Sequence, residues 1–154
     1  MAKCYQLIGV PGSGKSTWIG NQDWAKNCVI VSTDNHVEMY AKSVGKTYNE
    51  VFKDYMPTAI SLMIKDVVDA REQGKDIIWD QTSTTVKSRQ RKFNMLHDYM
   101  HIAVVFQTPD LPELNRRLSL RPGKNIPSHV MVQMISGFQM PTMDEGFTEI
   151  WSAP

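Results

Sequence analysis

Residues 9–17 are Gly-Val-Pro-Gly-Ser-Gly-Lys-Ser-Thr, a complete match to the pattern G-x-x-x-x-G-K-[ST]. The apolar run Tyr5–Val10 leads into this stretch, and a helical pattern begins around Gly14, which is the context that the motif requires. Glycines allow backbone N–H groups to converge on a phosphate, and the N-terminus of the following helix favours negative charge. A glycine-rich turn with a chance lysine would not explain all the fixed positions. The stretch therefore predicts a nucleoside triphosphate site after the first strand of an α/β domain.

The motif gives each of its residues a predicted task. Lys15 reaches the terminal phosphates as a point charge, and the Ser16 hydroxyl is a ligand for Mg²⁺. We therefore expect ATP and Mg²⁺ as ligands. The nucleotide is expected to contact Gly9, Pro11, Gly12, Ser13, Gly14, Lys15, Ser16 and Thr17.

Length and charge exclude several classes of protein. The chain has 154 residues, enough for one domain with a real core, which we assign to 1–154. No apolar run approaches the roughly 20 residues that cross a bilayer, and no cleavable signal precedes the first strand. We expect a cytoplasmic protein. The net charge of +1 is too balanced for a general nucleic-acid coat protein, so contact with nucleic acid requires a local basic cluster.

Short apolar runs alternate with helical patterns along the chain. Strands buried on both faces are predicted at Tyr5–Val10, Cys28–Val31, Ile77–Trp79 and Ile102–Phe106. Helices are predicted at about 14–19, 49–73, 86–97, 110–118 and 128–138. Pro57 is expected to kink or split the second helix, and residues 141–154 are expected to form an irregular tail. The alternation predicts a three-layer α/β/α fold with a parallel sheet.

Two aspartates lie at or just beyond the carboxyl ends of predicted strands. Both are site candidates, because the carboxyl ends of strands in an open α/β sheet face the ligand crevice. Asp80 ends the strand Ile77–Trp79 and is predicted to orient Mg²⁺ or its water shell, the alternative being a turn or capping aspartate. Asp34 follows Val29–Ser32 and is suited to take the proton from an attacking hydroxyl. Its alternative role is the N-cap of a helix that begins at Asn35.

Two groups of basic residues are candidates for phosphate contacts. The denser group belongs to a predicted lid at about 116–127 and comprises Arg116, Arg117, Arg121 and Lys124. Mobile arginines supply charge to a transferring phosphate and exclude water, although a solvated helix end would explain one or two of them. The second group follows Asp80 and comprises Lys87, Arg89, Arg91 and Lys92. It is either a solvated face or a surface for acceptor phosphates.

With these residues assembled, the chain resembles the kinase domain of phage polynucleotide 5′-hydroxyl kinases, within the wider P-loop kinase family. The likeness covers about residues 3–141. It is carried by GVPGSGKSTW at 9–18, Ser-Thr-Asp at 32–34, IIWDQTS at 77–83 and NRRLSLRPGKNIP at 115–127. The resemblance implies a P-loop kinase fold with a helical, arginine-bearing lid. A related phage group is similar in size and motif: DNA kinases that phosphorylate the hydroxymethyl group of 5-hydroxymethyluracil within DNA.

The resemblance also implies catalytic roles for individual residues. Lys15 and Ser16 match the lysine and serine of the family's phosphate cradle, and Asp34 matches its general-base aspartate. The lid arginine of the family falls on Arg121. By this resemblance Lys15, Asp34 and Arg121 are the catalytic residues.

Binding roles follow in the same way. Asp80 matches the acidic residue that ends the third core strand, which makes it a metal ligand together with Ser16. Arg89 matches an arginine downstream of that acidic residue and is expected to bind the acceptor. The two basic groups themselves add Arg117 as an expected nucleotide contact and Arg91 as an expected acceptor contact. One departure is the position three residues after Asp34, where the polynucleotide kinases carry an arginine for the acceptor-side phosphate and this chain has Val37.

The sequence therefore predicts an ATP-dependent phosphotransferase whose acceptor is a hydroxyl on nucleic acid, with DNA favoured over RNA. One alternative is phosphorylation of 5-hydroxymethyluracil in DNA, which the loss of the end-binding arginine would suit. A second alternative is a small-molecule kinase acting on a nucleoside or a sugar. A third is a non-catalytic nucleotide-binding switch, against which stands the carboxylate of Asp34, since a switch needs no group aimed at an acceptor.

Overall fold

The computed structural model describes all 154 residues, and at its centre is a five-stranded parallel sheet. The order of the strands across the sheet is β2-β3-β1-β4-β5. In chain order they are β1 (Lys3–Ile8), β2 (Val29–Val31), β3 (Ile77–Trp79), β4 (Met100–Phe106) and β5 (Glu149–Ala153). The four predicted strands are confirmed. Their β-branched and aromatic residues suit a sheet that is covered on both faces.

Six α-helices connect and cover the strands. They are α1 (Lys15–Gly20), α2 (Thr33–Ser43), α3 (Tyr48–Glu72), α4 (Val86–Met95), α5 (Leu111–Ser119) and α6 (Ser128–Ser136). Short 3₁₀ helices lie at Asp23–Asn27 and Met143–Glu145. Side-chain oxygens cap the starts of four helices, with Ser32 before α2, Thr47 before α3, Thr85 before α4 and Asp110 before α5. These caps satisfy backbone N–H groups that have no acceptor inside the helix.

Two hydrophobic layers enclose the sheet. On one face Cys4, Ile77 and Trp79 pack against Met63 and Val67 of α3. The opposite face buries Tyr5, Leu7, Ile78, Ile102 and Val104 against α1 and the 3₁₀ helix that follows it, where Trp18 and Trp24 lie. Successive residues of a strand point to opposite faces, which is why Cys4 and Tyr5 belong to different layers. The three-layer α/β/α fold with a parallel sheet is therefore confirmed.

The helix α3 is not split at Pro57. The proline lies inside one helical segment of 25 residues, and the Ser61 hydroxyl donates to the Pro57 carbonyl at 3.2 Å. The helix buries Val51 and Ala59 against α2 and Met63 against the sheet. Packing along its whole length outweighs the roughly 3 kcal/mol that an interior proline costs a helix.

The prediction of an irregular tail over residues 141–154 is wrong. Glu149–Ala153 forms β5, which pairs in parallel with β4 from Ile102 to Phe106. The ring of Trp151 lies 5.5 Å from that of Tyr5 and 6.4 Å from that of Trp24. An edge strand of this kind needs only one buried face, so it has no long apolar run in the sequence. No helix of the protein is both long and apolar enough to span a membrane.

Candidate active site

A cleft of about 700 Å³ lies at the carboxyl edge of the sheet. Its walls are the loop after β1, the residues that follow β2 and β3, the end of α5 and the turn after it. Most of the predicted site residues line it: Pro11, Gly12, Ser13, Gly14, Lys15, Ser16, Thr17, Asp34, Asp80, Arg117 and Arg121. Strand ends that are separated by tens of residues meet here because all the strands run in the same direction.

The loop at residues 9–14, between β1 and α1, has the shape of an anion cradle. Gly14 has φ 105°, a left-handed conformation that disfavours any side chain. A Cβ at Gly9 would lie 2.5 Å from the Ser13 hydroxyl and 2.8 Å from the Phe106 Cβ, so only glycine fits beneath the loop. The Ser13 hydroxyl is buried without a hydrogen-bond partner. The backbone N–H groups of Lys15 and Ser16 have no backbone acceptor. These donors face the cleft and fit a phosphate.

The Lys15 ammonium lies over the cradle. Its Nζ donates to the carbonyl of Gly9 at 2.7 Å and to that of Val10 at 3.1 Å. Burial lowers the pKa of Lys15 from 10.5 to about 8, and the carboxylates of Asp80 and Asp34 oppose this shift. Two neutral carbonyls offset only part of the cost of burying an ammonium. Negatively charged phosphate oxygens would therefore be better partners for Lys15 than the carbonyls of Gly9 and Val10.

Asp80 extends the cradle on the β3 side. Its backbone N–H donates to the Val31 carbonyl at 2.8 Å, which ties the residue to the neighbouring strand, whereas its carboxylate makes no hydrogen bond or ion pair. Burial raises the pKa of Asp80, and Lys15 partly offsets that shift. An unpartnered carboxylate and the Ser16 hydroxyl line the same cleft. Such oxygen donors, completed by phosphate oxygens and waters, fit Mg²⁺.

Asp34 lies in the first turn of α2 and does not cap that helix. The N-cap is Ser32, whose hydroxyl accepts from the Asn35 N–H at 3.2 Å. The capping alternative considered for Asp34 is therefore wrong. The Asp34 Oδ1 atom accepts from the Tyr48 hydroxyl at 2.7 Å, and its Oδ2 atom lies 3.4 Å from the Lys124 ammonium. The carboxylate is half exposed and faces the cleft.

The arginines of the predicted lid line the same cleft. Arg117 donates to the Gly12 carbonyl at 2.9 Å and pairs with Glu113 at 2.9 Å, so it contacts the cradle itself. Arg116 also pairs with Glu113, at 2.7 Å. The Arg121 guanidinium has no hydrogen bond or ion pair within the chain. It is the arginine of the cleft that is free to bind a ligand.

The prediction that Arg89 binds the acceptor is wrong. Its side chain is 0% exposed; Nε and Nη2 donate to the Glu145 carboxylate at 2.8 and 3.2 Å, and Nη1 donates to the Ser83 carbonyl at 2.9 Å. A guanidinium with these partners connects α4 to the 3₁₀ helix before β5 and has no surface for a ligand. Arg91, two residues further along α4, is exposed and lies outside the cleft. Its predicted role stays a prediction.

The sequence analysis gave no individual role to Glu38, Tyr48 or Lys124. Glu38 lines the cleft and pairs with Lys124 at 2.6 Å, and Tyr48 contacts Asp34 from the start of α3. Lys124 was identified only as part of a basic stretch. A helical spacing of four residues relates Asp34 to Glu38, and this spacing is the one sequence feature that would have indicated a shared face.

Comparison with known proteins identifies relatives of this architecture. The chain is 26% identical over 153 residues to the bifunctional polynucleotide phosphatase/kinase of Schizosaccharomyces pombe; the match covers 96% of this chain and 32% of that protein. The chain thus spans about a third of the length of this relative.

Solved structures share the fold at lower identity. A Chloroflexus aurantiacus protein provisionally described as a kinase superposes with a TM-score of 0.73 at 16% identity, over 99% of this chain and 87% of that one. Shikimate kinase from Acinetobacter baumannii superposes with a TM-score of 0.58 at 11% identity, over 100% and 84% of the two chains. The fold is that of the P-loop kinases. The AAA domain family matches residues 6–141, which include the cradle, both aspartates and the lid, and the chain therefore belongs to that family.

Proposed function

We propose that this protein is an ATP-dependent kinase that transfers the γ-phosphate to a hydroxyl on nucleic acid. The observation that carries the proposal is the position of Asp34. This carboxylate lines the same cleft as the phosphate cradle, and it does not cap its helix. A nucleotide-binding switch has no use for a carboxylate in that position, whereas a kinase needs a base beside the acceptor.

Each functional residue of the cleft has its own role in the reaction. Asp34 takes the proton of the acceptor hydroxyl while the acceptor oxygen bonds to the γ-phosphorus. The bond between the γ-phosphorus and the bridging oxygen to the β-phosphate breaks, and ADP leaves. Lys15 and Arg121 neutralise charge on the transferring group. Arg117 contacts the cradle and would bind the nucleotide. Mg²⁺ would be held by Ser16 and Asp80 and would supply further neutralisation of phosphate charge.

Support for a nucleic-acid acceptor comes from two directions. The Schizosaccharomyces pombe relative is named as a polynucleotide phosphatase/kinase. Arg91 is exposed on α4, outside the cleft, where it can meet a phosphate of a bound strand. The burial of Arg89 removes one of the two arginines expected on that surface. The acceptor site is therefore less basic than the sequence suggested.

A second candidate, phosphorylation of the hydroxymethyl group of 5-hydroxymethyluracil within DNA, is favoured by Val37. This residue is 0% exposed and packs with Ala41, Val51 and Ala59 between α2 and α3. The position at which polynucleotide kinases carry their acceptor-side arginine therefore faces the core in this chain. A hydroxyl on a displaced base needs no such contact to a terminal phosphate.

The test is transfer of label from γ-labelled ATP to three acceptors in parallel: a 5′-hydroxyl oligonucleotide, a duplex containing hydroxymethyluracil, and a panel of nucleosides and sugars. Label on the first supports the proposal, label on the second supports the second candidate, and label on the panel alone supports a small-molecule kinase. No label on any acceptor contradicts all three.

Two variants test the mechanism itself. Lys15→Ala is expected to abolish transfer while the protein still unfolds cooperatively. Asp34→Asn is expected to reduce turnover by at least about two orders of magnitude with little change in ATP affinity, the scale of a positioned general base. Asp54→Asn, which changes an exposed aspartate of α3, is the matched control. Near-wild-type turnover in either site variant would refute the kinase mechanism.

A further inference from the structure

A small network connects the predicted lid to Asp34. The Lys124 ammonium lies 2.6 Å from Glu38 Oε1, 3.4 Å from Asp34 Oδ2 and 4.6 Å from the centre of the Tyr48 ring. The Tyr48 hydroxyl in turn donates to Asp34 Oδ1 at 2.7 Å. One lid residue thus contacts both carboxylates of α2 and the first residue of α3.

Backbone contacts hold the same part of the lid in place. The Asn49 N–H donates to the Gly123 carbonyl at 2.9 Å, and the Asn125 N–H donates to Asn49 Oδ1 at 3.1 Å. Gly123 has φ 69°, and a Cβ there would lie 2.6 Å from the Thr47 Cβ, so the turn packs tightly against the corner between α2 and α3. The lid is docked at the residues that precede and begin α3.

The two oxygens of Asp34 are in different situations. Oδ1 has a short hydrogen bond, while Oδ2 has only the long contact with Lys124, whose stronger partner is Glu38. The Asp34 side chain is 48% exposed, whereas that of Lys124 is 14% exposed. Burial, and then the hydrogen bond to Asp34, raise the pKa of the Tyr48 hydroxyl, so the phenol keeps its proton and remains a donor. The oxygen left for an acceptor hydroxyl is Oδ2.

From this geometry we propose that Tyr48 and Lys124 are positioning residues for Asp34, so that docking of the lid orients the base. The inference rests on the proposed function. Tyr48 fixes the rotation of the carboxylate through Oδ1. Lys124 contacts Glu38 and Asp34 when the lid is docked, so the orientation of Asp34 depends on the position of the lid. The acceptor proton then passes to Oδ2 as the acceptor oxygen bonds to phosphorus and ADP departs. A supported, pre-oriented base of this kind is what phosphoryl transfer requires.

The kinetic test compares matched variants with the acceptor identified by labelling. Tyr48→Phe is expected to lower kcat about tenfold or more, the scale of a hydrogen bond to a charged group, with the KM for ATP unchanged. Tyr40→Phe, on α2 and stacked on Tyr55 at 3.9 Å, is the control for loss of a tyrosine hydroxyl. Lys124→Met is expected to lower kcat, and Lys124→Arg to restore part of it.

A double-mutant cycle separates positioning from a general structural effect. In an Asp34→Asn background Tyr48→Phe is expected to change kcat by less than about twofold, because its effect passes through the carboxylate. An equal loss in both backgrounds overturns the proposal, and so does an unchanged kcat in the single variant.

Hydrogen exchange tests the docked lid without reference to activity. In Lys124→Met the amides of Asn49 and Asn125 are expected to exchange faster than in the wild type, while Lys65→Met, at an exposed ion pair on α3, leaves them unchanged. Unchanged exchange in Lys124→Met overturns the lid contact. Absence of transfer to every acceptor overturns the proposed function and with it the catalytic role, whereas exchange still decides whether Lys124 holds the lid.

Discussion

Breaking the buried ion pair between Arg89 and Glu145 is expected to destabilise the fold strongly. Arg89→Met would remove three hydrogen bonds: two to Glu145 at 2.8 and 3.2 Å and one to the Ser83 carbonyl at 2.9 Å. It would leave the Glu145 carboxylate, 9% exposed, with the Thr142 N–H at 2.8 Å as its remaining donor. Removing one partner of a buried ion pair typically costs about 3–5 kcal/mol.

We expect Arg89→Met to lose about 3 kcal/mol, at the lower end of that range, because Glu145 keeps one hydrogen bond. That loss corresponds to a fall in Tm of about 6–12 °C for a chain of this size. Arg91→Met is the matched control: the same chemical change, two residues along the same helix, at an exposed position. It is expected to change stability by less than about 0.5 kcal/mol.

The assay is urea unfolding followed by tryptophan fluorescence, for which the chain offers four tryptophans. The double variant Arg89→Met with Glu145→Gln removes both charges and is expected to be less destabilised than the sum of the two single variants. If Arg89→Met unfolds at the same urea concentration as Arg91→Met, the reasoning that assigns Arg89 to the core is refuted.

The remaining predictions concern the lid, the acceptor surface and a buried lysine. Arg121→Ala should lower kcat more than ATP affinity, because its contact strengthens as charge develops; equal losses in both would contradict this. Arg91→Ala should raise the acceptor KM and flatten its salt dependence; a salt-independent acceptor KM in the wild type would end the nucleic-acid assignment. Burial lowers the pKa of Lys92 from 10.5 to about 8, which adds stability to the wild type between those pH values; in urea titrations across pH, Lys92→Met should lose this contribution and keep that of Lys15, whose pKa is lowered in the same way.

The direction in which Lys92 makes stability change with pH follows from proton binding. Between pH 8 and 10.5 the unfolded chain holds a proton on this amine that the folded protein does not, so raising the pH favours the folded state. Lys92 is 5% exposed, and its ammonium has the Ser88 carbonyl at 3.2 Å and the Trp79 ring at 5.2 Å, but no carboxylate partner. At neutral pH Lys92→Met should therefore be at least as stable as the wild type.

The cradle and its flanking aspartates could be predicted from the sequence because their geometry is local. The motif at residues 9–17 is contiguous, and the left-handed backbone of Gly12 and Gly14 is encoded in the glycines themselves. Asp34 and Asp80 could be predicted because Asp80 directly follows β3 and Asp34 comes three residues after the end of β2, and parallel strands bring their carboxyl ends to one edge. The order of the elements along the chain was therefore enough to bring these groups together.

Contacts between distant segments could be decided only by the tertiary structure. Arg89 and Arg91 are alike in sequence context but lie on opposite sides of a helix with 3.6 residues per turn, and only the packing of Glu145, 56 residues away, determines which is buried. The segment Glu149–Ala153 becomes a strand because β4 offers it an open edge, not through any pattern of its own. Tyr48 and Lys124 contact Asp34 because the lid packs against the connection between α2 and α3. No local spacing in the sequence encodes that contact.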